Sequence, residues 1–133
     1  MLNNETPHVK RIETSREDAV AFEVTGHITT ADIENLYGLL DGIYVVHEKI
    51  DLLVLIHHYE GFDWNAALRE GTIAGKTKAL KHVRKYALIG GPSWMGTTLA
   101  LFRPFLSIDM KHFDLDEQEH AWKWLGAEPR PIE

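Results

Sequence analysis

Two apolar stretches of strand length, separated by a segment long enough for a helix, lie in the middle of this chain. The first, Leu52–Ile56, is continuous and consists of Leu, Val and Ile, which is typical of a central strand covered on both faces. The second is Tyr86–Ile89. Strand-length runs that alternate with amphipathic segments of helical length predict an α/β fold built from strand–helix–strand units.

Three further strands are predicted around this centre. Val9–Ile12 and Ala19–Val24 flank a polar turn and predict an opening antiparallel hairpin. Gly26 is expected to end the second strand, and the sequence HHYEGF after the central strand is expected to form a turn. Ile108–Phe113 is the last predicted strand. The result is a mixed sheet of about five strands, in which strand–helix units follow the hairpin.

Four helices are predicted from their capping signals. Thr30 is the expected N-cap of the first helix, and Pro92 is the expected first residue of the third. Asp114 with Glu117 resembles a capping box for the fourth helix, which Gly126 should end. The predicted ranges are about 30–48, 63–82, 92–103 and 114–125.

Length and composition indicate one globular domain over residues 1–133, with its core at about 9–126. The chain has 133 residues, of which 44% are hydrophobic and 26% are charged, as in an ordinary globular protein of this size. Apolar runs of the roughly 18 to 20 residues that a membrane span needs are absent. The first residues also lack the apolar stretch of a secretory signal. We therefore expect a cytoplasmic protein without a membrane span.

Charge and cysteine content exclude several functions. The net charge of −6 argues against general nucleic-acid binding, because that affinity depends mainly on neutralising phosphates. The absence of cysteine excludes disulfides, thiolate zinc sites and thiol nucleophiles. One basic cluster is interpreted as cations at a helix C-terminus and on a solvated face, or alternatively as a docking patch for an acidic partner. Its members are Lys76, Lys78, Lys81, Arg84 and Lys85.

Patterns typical of catalysis or metal binding are not found. His57 and His58 are adjacent and should point to opposite faces of a strand, so that they cannot easily chelate one ion. None of the three serines lies in a GxSxG sequence, which is the mark of a nucleophile elbow. Gly90 and Gly91 precede a helix but lack the P-loop and GxGxxG patterns. We therefore predict no catalytic residue, no metal and no cofactor.

The candidate binding residues lie where the predicted parallel strands end. Ligands of α/β sheets sit beyond the carboxyl ends of the strands, and here those ends are rich in aromatic side chains. This favours capture of an apolar or amphipathic molecule, or of a partner's side chains, over acid–base catalysis. The alternative is that the aromatic rings close the core. The candidates are His58, Tyr59, Phe62, Trp64, Gly91, Ser93 and Trp94.

Three segments together resemble the SpoIIAA-like branch of the STAS superfamily, also described as STAS/SEC14-like. They are LLVLIHHYEGFDW, KHVRKYALIGGPSW and MKHFDLDEQEHAWKWL. The most specific parts are the EGF segment at Glu60–Phe62, the turn at Trp94 and the FDLDE segment that begins at Phe113. The resemblance extends from about Val9 to Leu125.

The resemblance implies a mixed sheet with helices and a role in protein–protein regulation or in binding nucleotides or lipids. In the anti-sigma-factor antagonists of this superfamily, a phosphorylatable serine follows the central strand. Here the corresponding segment is His58–Asp63, which contains neither Ser nor Thr. The resemblance therefore does not extend to the phosphorylation switch, while the SEC14 relationship implies an apolar ligand.

Three functions are carried forward as expectations. The first is a non-enzymatic STAS-like domain that binds a lipid-like small molecule or a protein partner at the strand ends. The second is a homodimeric interaction module, whose surface could include Leu101, Phe105 and Leu106. The third is an enzyme that uses His57 or His58 with Glu60, which lacks an accompanying nucleophile in the sequence.

Overall fold

The computed structural model describes residues 8–62, 81–93, 96 and 108–130. Within them, β1 and β2 form an amino-terminal hairpin, β3 to β5 follow, and α1 and α2 are the two α-helices. The strands are β1 Val9–Ile12, β2 Ala19–Ile28, β3 Ile50–Phe62, β4 Val83–Gly90 and β5 Asp109–Phe113. The helices are α1 Thr30–Val46 and α2 Gln118–Leu125, the latter preceded by a 3-10 turn at Leu115–Glu117.

The strands form one five-stranded sheet in the order β1-β2-β3-β4-β5. β1 pairs with β2 in antiparallel orientation, and each later neighbour pairs in parallel. This confirms the predicted mixed sheet with an opening hairpin. The predicted helix over 63–82 lies outside the described residues except for Lys81 and His82, which are helical. The predicted helix over 92–103 is described at Pro92, Ser93 and Gly96 and otherwise lies outside the described residues. Ser93 and Gly96 are helical, but Pro92 is not, so that Pro92 precedes the helical segment and is not its first residue.

Both faces of the sheet are covered, because alternate side chains of each strand point to opposite sides. On one face, Leu52, Val54 and Ile56 of β3 pack in a cluster that includes Leu40 of α1. On the other face, Leu53 is buried in a second cluster. That second cluster contains the side chains of α2 and includes Ala121, Trp122 and Leu125. The prediction that Leu52–Ile56 is a central strand buried on both sides is confirmed.

Three strands, β2, β3 and β4, are longer than predicted, and the first two continue through residues that were expected to end a strand or form a turn. Gly26 does not end β2, which continues to Ile28, and HHYEGF is not a turn but the last part of β3. The pairing shifts on either side of Gly26, and it resumes until Ile28 pairs with Phe62. The extra residues of this bulge lie on β3, where His58 and Glu60 are skipped by the pairing. Opposite them, Gly26 has a φ of 77°, a conformation that glycine adopts readily. The bulge therefore lets pairing continue through residues whose composition resembles a turn.

The first helix begins one residue earlier than predicted. Thr29, not Thr30, is the N-cap, since its Oγ1 accepts a hydrogen bond from the backbone N–H of Asp32 at 3.2 Å. In return the N–H of Thr29 donates to Oδ2 of Asp32 at 2.8 Å. The two contacts form a capping box, which requires a spacing of three residues between the partners. Asp32 is buried, and His8 contacts the same Oδ2 at 3.0 Å.

The last helix ends as predicted. Gly126 adopts the left-handed conformation with φ 84°, and its N–H bonds to carbonyls of the final turn. At the other end, the N–H of Asp114 donates to Oε1 of Glu117 at 2.8 Å, which confirms the predicted capping pair. This cap stands before the 3-10 turn that leads into α2. None of the described helices is both long enough and apolar enough to cross a membrane.

A network of charged side chains closes the amino-terminal edge of the parallel strands. Asp51, at the start of β3, is 4% exposed. It accepts hydrogen bonds from Arg16 at 2.9 Å and from Arg84 at 3.2 Å. Asp18 accepts from the same two arginines at 3.0 and 3.1 Å. Arg16 also donates to the carbonyl of Gly126 at 3.2 Å, so that this network reaches the end of α2.

Two members of the predicted basic cluster therefore have structural roles. Arg84 belongs to β4 and to this network, and Lys85 donates to the carbonyl of Trp124 at 3.0 Å. The ammonium of Lys85 also lies 5.3 Å from the centre of the Trp124 ring, within the range of a cation–π contact. Lys76 and Lys78 lie outside the described residues.

Candidate functional site

The aromatic side chains predicted at the end of β3 contact the core. Tyr59 and Phe62 are partly buried and pack against the cluster on the α1 face of the sheet. Their rings therefore help to close this core, which was the alternative interpretation of the aromatic residues. Trp64 and Trp94 lie outside the described residues.

The histidine pair of β3 does not have the predicted geometry. His58 has a φ of 51°, which breaks the alternation of side chains along the strand. As a result the His57 and His58 rings lie 4.8 Å apart, a separation that rings on opposite faces of a strand cannot reach. Nε2 of His57 contacts Oε1 of Glu23, and not Glu60, which is exposed. The expectation that the two rings point to opposite faces is wrong.

A cavity of about 550 Å³ lies at the carboxyl ends of β4 and β5. It brings together the turn that follows β4, the beginning of the next helical segment and the residues that follow β5. Its described lining residues are Gly90, Gly91, Ser93, Gly96, His112, Asp114 and Leu115. This is the edge of the sheet at which α/β proteins hold ligands.

The turn after β4 depends on glycine. Gly90 has a φ of 76°, and a Cβ atom there would lie 2.2 Å from the carbonyl oxygen of Ile56 on the neighbouring strand. The N–H of Gly91 donates to that same carbonyl at 3.1 Å. Any larger residue at position 90 would therefore push β3 and β4 apart where the cavity begins. This close approach also brings the exposed Leu115 side chain over Gly90.

His112 forms one wall of the cavity and has a fixed orientation. Its Nε2 lies 3.0 Å from the carbonyl oxygen of Gly90, and since a carbonyl can only accept, Nε2 carries the proton. In a neutral imidazole, Nδ1 is then a hydrogen-bond acceptor. Nδ1 has no hydrogen-bond partner within the part of the chain that the structure describes. A Cβ at Gly96 would lie 2.8 Å from Nδ1, so that only glycine lets the backbone at position 96 lie this close to the ring.

The remaining walls combine charge with apolar surface. Asp114 is exposed and carries the formal negative charge among the described lining residues. Leu115 next to it is 45% exposed, which leaves apolar surface available. Ser93 adds a hydroxyl group. A cavity with these walls can hold a small molecule that has both a polar and an apolar part.

The cavity contains some of the predicted binding residues and adds others. Gly91 and Ser93 line it, whereas His58, Tyr59 and Phe62 are not among its described lining residues. Sequence reasoning missed the contribution of β5, from His112 to Leu115. The signal was available, because β5 is parallel to β4, and the residues that follow parallel neighbours lie side by side. Gly96 gave no signal, since its role depends on contact with His112.

Three carboxylate residues near the cavity could supply metal ligands. Asp114, Asp116 and Glu117 each have an oxygen within 4.8 Å of the others. However, Oε1 of Glu117 already accepts the N–H of Asp114, and both aspartates are exposed. The capping contacts between Asp114 and Glu117 account for the closeness of these two side chains.

A second cavity, of about 460 Å³, lies beside the turn between β1 and β2. Arg11, Arg130 and His47 line it together with Glu13 and Glu17. Positive and negative side chains thus alternate around this groove, and the guanidinium of the lining residue Arg16 is bound to Asp18 and Asp51. Its charges largely offset one another, which makes it a weaker ligand site than the cavity at the strand ends.

Comparison with known proteins gives two findings. Residues 19–126 match the protein-family model described as SpoIIAA-like. The fold is similar to the crystal structure of an uncharacterized protein of the DUF3478 family with a SpoIIAA-like fold, from Shewanella loihica PV-4. The two structures share 22% sequence identity and a TM-score of 0.71, over 94% of this chain and 99% of that chain. No curated protein matches the sequence.

Proposed function

Because the chain belongs to the SpoIIAA-like family, as its resemblance to that branch predicted, we propose that it is a non-enzymatic binding domain of the STAS type. In this proposal it holds an amphipathic small molecule at the carboxyl ends of β4 and β5. The observation that supports the proposal is the cavity of about 550 Å³ between the glycine turn after β4 and the residues after β5. Small-molecule sites typically have volumes of roughly 300 to 1,000 Å³.

The position of His112 supports binding rather than catalysis. A catalytic histidine is usually oriented by a carboxylate that stabilises its protonated form. Here Nε2 of His112 donates to the carbonyl of Gly90, a group that orients the ring but supplies no negative charge. The ring is therefore suited to accept or donate one hydrogen bond to a bound molecule.

The ligand can be tested directly on purified protein. Native mass spectrometry, followed by extraction and analysis of bound lipids, should reveal a small molecule that leaves on denaturation. Ser93→Phe should reduce its occupancy, because a phenyl ring at this exposed lining position would fill part of the cavity. Glu119→Phe is the matched control, since Glu119 is exposed on α2 and is not a lining residue. Wild-type protein that is empty and takes up no fatty acid, fatty amine or lipid would refute the proposal.

A second candidate is a homodimeric interaction module. Val45 and Val46, at the end of α1, are 86% and 75% exposed. Adjacent apolar side chains with this exposure are suited to contact a second copy of the chain. The surface expected from sequence, with Leu101, Phe105 and Leu106, lies outside the described residues.

Light scattering of the wild-type protein and of the double variant Val45→Ser, Val46→Ser distinguishes the two candidates. The homodimer hypothesis predicts a dimer that the double variant weakens at unchanged helix content. A wild-type protein that remains monomeric at high concentration would exclude this second candidate and leave the first intact.

A further inference from the structure

Two of the described side chains that line the cavity at the strand ends offer hydrogen-bond acceptors. Nδ1 of His112 is one of them, because Nε2 holds the proton that it donates to Gly90. The carboxylate of Asp114 is another, since an ionised carboxylate accepts and cannot donate. A ligand that binds beside these two groups should therefore bring donors of its own.

The charge of the cavity also favours a ligand that is a cation and carries hydrogen-bond donors. Asp114 supplies a full negative charge among the described lining residues, while Ser93 and the glycines are neutral. The whole chain has a net charge of −6, so that long-range electrostatics also favours a cation. A carboxylate ligand would be repelled by Asp114 and would leave Nδ1 of a neutral His112 facing another acceptor.

One feature of the cavity opposes the preference for a cationic ligand. Ser93 is the beginning of a helical segment, and the amino end of a helix carries a positive charge of roughly half a unit, which favours anions. The carboxylate of Asp114 carries a full unit and lines the same cavity. The balance of the described groups is therefore negative.

The cavity also offers apolar surface that an alkyl chain of the ligand can contact. Leu115 is 45% exposed and lies over Gly90, where a Cβ atom would come within 2.9 Å of its Cδ2. The glycines add a smooth surface without side chains. A short alkyl chain can cover this surface while its head group reaches His112 and Asp114.

From these contacts we infer that the cavity prefers an amphiphile with a primary ammonium head and a short alkyl chain over the corresponding carboxylate. The inference rests on the proposed function, and it names the class of ligand. The ammonium donates one hydrogen bond to Nδ1 of His112 and another to the carboxylate of Asp114, and the alkyl chain packs on Leu115.

Three probes of equal chain length separate these chemistries: octylamine, octanol and octanoate. Their binding is measured by titration followed with ¹H–¹⁵N spectra at about pH 8, where imidazole groups are mostly neutral. We expect octylamine to bind at least about tenfold more tightly than octanoate, with octanol between them. We also expect octylamine to shift the ¹⁵N resonance of Nδ1 of His112, as acceptance of a hydrogen bond requires.

Asp114→Asn is the informative variant, because asparagine retains N-capping ability and removes the charge. It should lower the affinity for octylamine about tenfold and leave the affinity for octanol unchanged. Asp109→Asn is the matched control, since it makes the same change in net charge at an exposed residue at the start of β5 that is not among the described lining residues. An equal loss of affinity in both variants would mean that general electrostatics selects the cation, and the inference would fall.

The titrations with the three probes can contradict the preference for an ammonium head without contradicting ligand binding in the cavity. Octanoate that binds as tightly as octylamine and shifts the resonances of Gly91 and His112 would overturn the inference and retain the proposed cavity. Absence of any shift in these residues with all three probes would overturn both.

Discussion

The guanidinium of Arg16 lies 2.9 Å from the carboxylate of Asp51, which is almost completely buried. Arg16 stands in the turn between β1 and β2, and Asp51 stands at the start of β3. Because Arg84 at the start of β4 contacts the same carboxylate, one buried anion holds three parts of the sheet together.

Asp51→Ala should destabilise the protein by about 2 kcal/mol, because it removes a buried carboxylate that accepts charged hydrogen bonds from Arg16 and Arg84. Both guanidinium groups remain partly exposed to solvent, which limits the loss. Urea unfolding followed by circular dichroism measures this loss. Asp109→Ala is a suitable control, because Asp109 is exposed at the start of β5, and we expect a change within about 0.5 kcal/mol there. A similar small change for Asp51→Ala would show that the network contributes little.

Stability should fall in acid partly because of Asp18. Hydrogen bonds from Arg16 and then Arg84 hold the pKa of this carboxyl below its usual value, although burial acts in the opposite direction. A lowered pKa in the folded state stabilises the protein above the pKa of the unfolded chain, and this contribution is lost as the pH falls through the folded value. Its side chain is 35% exposed, so that solvent screening keeps the contribution small.

The variant Asp18→Asn tests this pH dependence. Between about pH 5 and pH 3, the free energy of unfolding of the variant should decline less steeply than that of the wild type. Added salt should reduce the difference between the two proteins, because the pair is partly exposed. Parallel curves for the two proteins over this range would contradict the assignment to Asp18.

Two glycines should respond to alanine in opposite directions. Gly90→Ala should cost more than about 2 kcal/mol, because its φ of 76° disfavours alanine and the new Cβ would meet the carbonyl of Ile56 at 2.2 Å. Gly42→Ala should stabilise by roughly 0.8 kcal/mol, since Gly42 lies inside α1, is exposed and has nothing within 4 Å of a new Cβ. Thermal unfolding of the two variants provides the comparison. The reverse order would mean that the turn after β4 is wrongly described.

Tyr44→Phe should leave stability unchanged or raise it by up to about 1 kcal/mol. The hydroxyl of Tyr44 is buried and has no hydrogen-bond partner among the residues that the structure describes, and its ring stacks on His82 with centroids 4.4 Å apart. Phenylalanine would keep the stacked ring and remove an unsatisfied polar atom. A loss of more than about 1 kcal/mol on urea unfolding would indicate that the hydroxyl does have a partner.

The same variant should change the alkaline limb of the stability curve. Burial, together with Asp41 and Tyr37, raises the pKa of Tyr44 to about 12. In the unfolded chain the phenol ionises near its usual value of about 10, so that stability falls as the pH rises from about 10 toward 12. Tyr44→Phe should weaken this decline.

The sequence allowed most of the sheet to be predicted, because apolar patterning depends on neighbouring residues. β1 has the predicted bounds, and the order of strands along the chain is as expected. The errors lie where a single backbone conformation decides the result. The left-handed His58, the bulge that it forms in β3 and the positive φ of Gly26 opposite allow both strands to continue past residues that resemble a turn. Residue propensities do not predict these backbone conformations.

The candidate site was predicted less completely than the sheet. The rule that ligands lie at the carboxyl ends of parallel strands located Gly91 and Ser93. Applied to the aromatic rings at the end of β3, the rule does not reach His112, which lies in β5, the other neighbour of β4. Arg84 was likewise assigned to a helix end, because its partners Asp18 and Asp51 are 66 and 33 residues away in the chain. Contacts between residues so far apart in the chain can be predicted only when the pairing of the strands is known.

The bond from Arg16 to the carbonyl of Gly126 joins residues that are 110 positions apart. On a ribosome, the turn that contains Arg16 is synthesised long before its partner at the end of α2 emerges. Until nearly the whole described chain has been made, Arg16 can therefore bond to Asp18 and Asp51 but not to Gly126. The hydrogen bond between Arg16 and Gly126 therefore forms late in biosynthesis. Nascent chains that stop before Gly126 should remain accessible to proteases and chaperones.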